Sequence, residues 1–142
     1  MHHFWDTFIE PLLQHLQPQS MVEIGSGRGL TTHQLLTFCE TQGSVLHAID
    51  PWPQFDVAAY RERYGESFVC HRALSLNALP RLNRPDVVLI NGDPNWYTVF
   101  HELQLIEKCW AQGATPFPVV LLHNTGWPYG RRDCYTHPDT IP

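Results

Sequence analysis

Short apolar runs that stop at polar or glycine residues recur along the chain and predict buried β-strands. Five such runs cover residues 21–24, 45–49, 67–71, 86–90 and 117–122. Between the first two runs, apolar side chains in residues 30–39 share one side, and Gly43 follows as a helix C-cap would. Strands that are apolar throughout and alternate with helices indicate a parallel sheet covered on both faces. The predicted fold is therefore α/β.

The remaining segments complete this alternation and define the ends of the domain. We expect a helix over residues 56–64 and a helical turn over residues 75–79. A further helix is predicted from the spacing of Val99, Leu103, Ile106 and Trp110. Residues 1–20 read as an N-terminal helix that Pro11 bends or restarts, residues 21–123 as the α/β core, and residues 124–142, rich in Pro, Gly and aromatic residues, as an irregular tail. The 142 residues fit a single domain.

The composition narrows the class of protein. Hydrophobic residues make up 43% of the chain and charged residues 16%, which suits a folded domain with a real core. A net charge of −5 with nine Lys plus Arg argues against nucleic-acid binding. The chain shows neither a membrane-length apolar run nor a signal-peptide pattern, so we expect no membrane partner and a cytoplasmic location. The four cysteines form no CxxC pair, and Cys39, Cys70 and Cys109 are expected to be buried free thiols.

A glycine-rich motif follows the first predicted strand. It comprises Glu23, Gly25, Ser26, Gly27, Arg28 and Gly29. Glycines at a strand-to-helix junction allow a tight turn and let a ligand approach the backbone, while the next helix offers free N–H groups. A dinucleotide fingerprint would place glycine where this chain has Leu30, so the GxGxG spacing suits a nucleoside-amino acid better. Glu23 is a candidate ligand for an ammonium group, directly or through water.

Asp50 ends the second predicted strand, about twenty residues after the glycines. An acid at this position accepts hydrogen bonds from ribose hydroxyls in nucleotide-binding α/β folds. Taken alone, Asp50 is more simply a turn residue before Pro51. Together with the glycine turn it indicates a ligand site at the carboxyl edge of the sheet.

Two further strands end in candidate site residues. Asn91-Gly92-Asp93 follows the fourth strand and places Asp93 within reach of a substrate hydroxyl, although the same residues are also ordinary turn chemistry. His123-Asn124 follows the fifth strand, where a lone histidine is more often structural than catalytic. The histidines form neither an HxH nor an HxxxH pattern, which argues against a zinc site.

Read together, these motifs resemble class I S-adenosylmethionine-dependent methyltransferases. The likeness rests on residues 22–29, 49–50 and 88–93, and it extends to residues 95–98 and 126–133. Within that class the chain is most similar to the bacterial group of macrocin O-methyltransferase and cephalosporin hydroxylase-type proteins. The resemblance implies a three-layer Rossmann-like domain with an open parallel sheet of about five strands. The antiparallel pair of strands that usually completes such a sheet is not expected in this chain.

The resemblance also assigns roles to particular residues. It implies that Glu23 and residues 25–29 cradle the methionine part of S-adenosylmethionine and that Asp50 binds the ribose. Ala73, Leu74 and Ser75 would lie beside the adenine, and Asn91 would also bind the cofactor. Asp93 would be the catalytic base. Metal-dependent members carry aspartate where this chain has Asn91 and Asn124, and amides are weak ligands for Mg²⁺, so no metal site is predicted.

The expected function is methyl transfer to an oxygen of a small molecule, such as a sugar or a secondary metabolite. One alternative is a degraded or truncated domain that binds the cofactor without turnover, and a second is a nicotinamide-dependent oxidoreductase, which Leu30 disfavours. The open edge of the sheet leads us to expect either self-association into a homo-oligomer or coverage by the tail.

Overall fold

The computed structural model describes residues 1–111 and 116–125. Their five strands form one sheet in which every neighbouring pair is parallel. The strand order is β3-β2-β1-β4-β5. The strands are β1 (Ser20–Ile24), β2 (Val45–Ile49), β3 (Phe68–His71), β4 (Val87–Ile90) and β5 (Val119–Leu122). The predicted α/β fold is confirmed, and the order reverses beside the first strand, where such sheets bind ligands.

Helices alternate with these strands, and the breaks between them follow local sequence signals. The helices are α1 (Glu10–Leu16), α2 (Leu30–Gln42), α3 (Val57–Tyr64), α4 (Ser75–Ala78) and α5 (Trp96–Trp110). Gly43 ends α2 in the left-handed conformation, as its position predicts. Asp56 caps α3 by accepting from the N–H groups of Ala58 and Ala59. Pro11 lies in the first turn of α1, which follows a 3₁₀ turn (His2–Phe4) and a π turn (Trp5–Ile9), so the N-terminal segment is not one continuous helix.

The sheet separates two apolar cores. Met21 and Leu89 pack on one face with Leu35 of α2, whereas Val22 packs on the other with Ile106 of α5. This alternation follows from the two-residue period of a strand. It also places Glu23 on the α2 face and Ile24 on the α5 face, at the end of the strand from which the glycine turn departs.

Two details of the sequence analysis are wrong. On α5 the buried residues are Glu102, Ile106 and Trp110, while Leu103 is 38% exposed, so the helix is rotated from the predicted face. Cys109 is exposed rather than buried, although Cys39 and Cys70 are buried free thiols as expected. Residues 126–142, which include most of the predicted irregular tail, lie outside the described residues. Within the described part of the chain no helix is long and apolar enough to cross a membrane.

Candidate functional site

A cavity of about 520 Å³ opens at the carboxyl ends of β1, β2 and β4. That volume lies within the range of small-molecule sites in proteins. Residues from all three strand ends line it, together with the start of α4 and one side of α5. The wall contains Gly25, Ser26, Gly27, Arg28, Asp50, Leu74, Ser75, Asn91 and Asp93, which the sequence singled out, and also Thr31, Trp52, Thr98 and Glu102, which it did not.

The glycine turn is shaped by two different requirements. Gly25 has φ 84°, and a Cβ built on it would lie 2.4 Å from the Cα of Gly92, so the loops after β1 and β4 cross in contact. Gly27 has φ 47°, lines the cavity, and a Cβ there would meet no atom within 4 Å. Gly27 therefore lines the cavity with open space beside its Cα. The first glycine lets the loops after β1 and β4 meet, and the second leaves the wall without a side chain at this point.

Asp50 links the end of β2 to the glycine turn. Its Oδ2 accepts hydrogen bonds from the Gly27 N–H at 2.8 Å and from the Ser26 hydroxyl at 3.3 Å. Its Oδ1 accepts from the Trp52 N–H at 2.8 Å. Because a carboxylate oxygen can accept two hydrogen bonds and Oδ1 accepts one from the described residues, Asp50 keeps capacity at Oδ1 for a further donor.

Glu23 occupies a different place from the other predicted residues. It is fully buried under α2, where its Oε2 accepts from the Thr32 hydroxyl at 2.6 Å, and it does not line the cavity. Burial raises the pKa of Glu23 to about 8; the nearby Asp50 adds to that rise, and the Thr32 hydrogen bond opposes it. Oε1 has no hydrogen-bond partner among the described residues. Burial therefore favours the neutral form of Glu23 at neutral pH.

The contribution of Glu23 to the stability of the protein is expected to fall as the pH rises through the range in which Glu23 is ionised only in the unfolded state. Since the folded pKa is about 8 and the ordinary value is 4.5, the folded state holds the proton more tightly in this window. The slope from one such group approaches about 1.4 kcal/mol per pH unit. Glu23→Gln, which can still accept from Thr32, is expected to flatten the curve of unfolding free energy against pH between pH 5 and 8. The matched control Glu107→Gln alters an exposed acid of α5 and is expected to keep the parent slope; parallel curves for all three proteins would contradict this assignment.

The end of β4 supplies the second acid of the cavity. Asp93 is exposed, and its Oδ1 accepts from the Asn95 N–H at 3.0 Å in a turn that leads into α5. Asn91 lines the same cavity, and its N–H bonds to the Ile24 carbonyl. His123 and Asn124 line a separate depression beside the N-terminal segment, so the structure does not bring Asn124 to the cavity.

Glu102 is the site residue that the sequence analysis missed. It is 1% exposed, and its Oε1 accepts from the Ser75 hydroxyl at 2.5 Å. Burial raises the pKa of Glu102 to about 7; the negative charge of Asp93 adds to that rise, and the Ser75 hydrogen bond opposes it. The sequence does contain a signal for the burial of Glu102: it lies four residues before Ile106 and eight before Trp110, and therefore on the apolar face of the helix. The remaining expected residues, Gly29 and Ala73, lie outside the cavity wall: a Cβ on Gly29 would meet the Phe55 ring at 2.9 Å, and Ala73 packs on the core.

The charges of the wall favour one kind of ligand. Asp50, Asp93 and Glu102 are acidic, and only Arg28 among the residues that line this cavity carries a basic group other than histidine. A site of this balance suits a cationic ligand better than a pyrophosphate. Among residues 1–111 and 116–125 no cluster of three His, Cys, Asp or Glu could hold a metal ion, and Asn91 offers a neutral amide, a weaker ligand for a divalent cation than a carboxylate.

The fold and the cavity define an α/β protein in which a glycine turn and an acid, at the ends of adjacent parallel strands, line one cavity. Comparison with protein families agrees, since the model described as a methyltransferase domain matches residues 22–125. The chain belongs to this methyltransferase family. The matched range includes the sheet from Val22 onward and every residue that lines the cavity except His2. A search of curated proteins found no match.

Proposed function

We propose that the protein binds S-adenosylmethionine in the cavity and transfers its methyl group to a hydroxyl oxygen of a small molecule. The observation that carries the proposal is the joint placement of the glycine turn, Asp50 and Asp93 around one cavity. The open space at Gly27 and the acidic wall fit a nucleoside that bears a sulfonium and an ammonium group.

In this proposal each part of the cofactor has a match in the wall. The backbone of residues 25–28 lies beside the methionine part, and Asp50 accepts from the ribose hydroxyls. Leu74 and Ser75 lie beside the adenine, on the other side of the cavity opening. Glu23 lies under α2, outside the cavity wall, so it would act through a water. Its Oε1, which has no partner among the described residues, would accept a hydrogen bond from that water, which in turn accepts from the ammonium group. The positive charge of the ammonium group would favour the ionised form of Glu23.

When bound, the cofactor would supply an electrophilic methyl group: its bond to sulfur would break, with the electron pair going to sulfur, as the acceptor oxygen bonds to the methyl carbon. The protein's contribution is to hold donor and acceptor in line, because alignment accounts for much of the rate of such a displacement. Asp93 takes the proton that the acceptor hydroxyl loses. Its exposure at the cavity mouth leaves it open to an acceptor that arrives from solvent.

Asp50→Ala is expected to weaken the binding of S-adenosylhomocysteine by roughly 10- to 100-fold, because hydrogen bonds to a charged acceptor contribute about 1.5–3 kcal/mol. The substitution also frees the N–H of Gly27, so the turn loses one of its anchors. Calorimetric titration measures the change. Asp56→Ala is the matched control, since this aspartate caps α3 and lies outside the cavity wall. Equal affinities for parent and Asp50→Ala would contradict the placement of the ribose.

A second candidate function is a domain that binds the cofactor without turnover. The neutral amide at Asn91 favours it, and so does the lack of a cluster of three metal-ligating side chains in the described part of the chain. A transfer assay separates the two. Isotopically labelled S-adenosylmethionine is offered with a panel of sugars, phenols and other hydroxyl acceptors, with and without a chelator. Transfer that survives the chelator supports the enzyme without metal. Stoichiometric binding with no labelled product across the panel supports the binding domain.

A further inference from the structure

Ser75 and Glu102 form a polar pair in the cavity wall that has no part in the proton transfer proposed above. Ser75 begins α4, and Glu102 lies in the second turn of α5. Both side chains are buried, and the Ser75 hydroxyl holds one oxygen of the carboxyl group, Oε1. The other oxygen, Oε2, has no hydrogen-bond partner among the described residues. A buried acceptor without a partner is costly, so a ligand that donates to it recovers a cost already present in the free protein.

The surroundings of this pair indicate what kind of donor fits. Leu74, next to Ser75, is 56% exposed, and Trp52 is 78% exposed; both line the same cavity. Their apolar surfaces suit the faces of a planar ring, and the unpartnered Oε2 of the ionised Glu102 suits a hydrogen-bond donor on that ring. A planar base with an exocyclic amino group meets both conditions, whereas a base with a carbonyl oxygen at that position can pair only with the protonated carboxyl group.

We infer that Glu102, held by Ser75, selects the base of the bound nucleoside by accepting a hydrogen bond from the 6-amino group of adenine. This inference rests on the proposed function, because it takes the ligand to be an S-adenosyl compound. The raised pKa of Glu102 agrees with it: a donor at Oε2 supplies the partner that the ionised carboxyl lacks, and so shifts the group toward its ionised form. Glu102 is thus a specificity-determining residue, and Ser75 is the residue that positions it.

The test compares S-adenosylhomocysteine with its hypoxanthine analogue, in which a carbonyl oxygen replaces the 6-amino group. At pH 8, where the carboxyl group of Glu102 is mainly ionised, the parent is expected to prefer the adenine compound by roughly 10- to 100-fold, the effect of one hydrogen bond to a charged group. In Glu102→Gln, the amide oxygen keeps the bond from Ser75, so the amide NH₂ occupies the place of Oε2. That NH₂ faces the adenine amino group unfavourably and the hypoxanthine oxygen favourably. The preference is expected to disappear or reverse, while Glu107→Gln on the exposed side of α5 keeps the parent ratio.

Calorimetric affinities for both compounds distinguish this role from a purely structural link between α4 and α5. A structural link would weaken both compounds equally, and an unchanged ratio in Glu102→Gln overturns the inference while leaving the proposed function intact. A parent that binds neither compound overturns both. If Glu102→Gln does not fold, the same two affinities are measured for Ser75→Ala. A smaller preference for the adenine compound than in the parent supports the inference, because Ser75 no longer holds the carboxyl group. An unchanged preference overturns it.

Discussion

Gly25→Ala is expected to destabilise the folded protein by about 2–6 kcal/mol. A residue with a side chain at φ 84° adopts a sparsely populated conformation, which costs about 1–3 kcal/mol. In addition, the new Cβ would lie 2.4 Å from the Cα of Gly92 and 2.8 Å from the carbonyl carbon of Asn91. Both are backbone atoms at the end of a buried strand, so relief requires the β1 and β4 loops to separate, at about 1–3 kcal/mol for such overpacking.

Chemical denaturation measures this effect, and Gly43→Ala is its control. Gly43 also has a positive φ, of 68°, but a Cβ built there meets no atom within 4 Å. It should therefore show only the conformational penalty, about 1–2 kcal/mol. The difference between the two variants isolates the crossing of the loops. Equal losses for both would mean that the loops after β1 and β4 are not in contact as the structure has them.

Asp93→Asn is expected to lower the rate of methyl transfer by roughly 10²- to 10⁴-fold, the usual contribution of a positioned general base. The amide keeps the side-chain oxygen that accepts from the Asn95 N–H, so the turn into α5 is retained. What is lost is the ability to take a proton. The binding of S-adenosylhomocysteine should change little, because Asp93 acts on the acceptor rather than on the cofactor.

The assay measures kcat for the best acceptor of the panel and cofactor affinity on the same preparations. Asp6→Asn serves as control, since Asp6 is exposed on the N-terminal segment and does not line the cavity. Activity in Asp93→Asn equal to that of the parent would remove Asp93 from the mechanism. Loss of cofactor affinity together with activity would instead assign Asp93 to binding.

The sequence predicted which loops surround the cavity, because these loops follow the ends of buried strands. Apolar runs located β1, β2 and β4, and in a parallel sheet the residues that follow such strands meet at one edge. This rule was sufficient to predict that Gly25, Asp50 and Asp93 lie close together. The pairing of Asp50 with the Gly27 N–H adds detail, but the neighbourhood itself was predictable.

The residues that the sequence missed depend on tertiary packing. A charged residue on a helix is ordinarily assigned to solvent, so Glu102 was passed over in favour of Leu103, although its spacing to Ile106 placed it on the buried face. The orientation of α5 is fixed by its packing against α4 and the sheet, which periodicity alone does not define. Trp52 belongs to a loop whose path is set by contacts such as the Gln54 N–H to the Gly27 carbonyl. The burial of Glu23 beneath α2 is likewise a tertiary property.

Calorimetric titration of the unmodified protein with S-adenosylhomocysteine tests the central claim most directly. We expect saturable binding of one molecule per chain, and this binding should resist competition by NAD, because the acidic wall and Leu30 both disfavour a pyrophosphate. Absence of binding to the folded protein, or displacement of the ligand by NAD, would contradict the assignment of the cavity to an S-adenosyl compound.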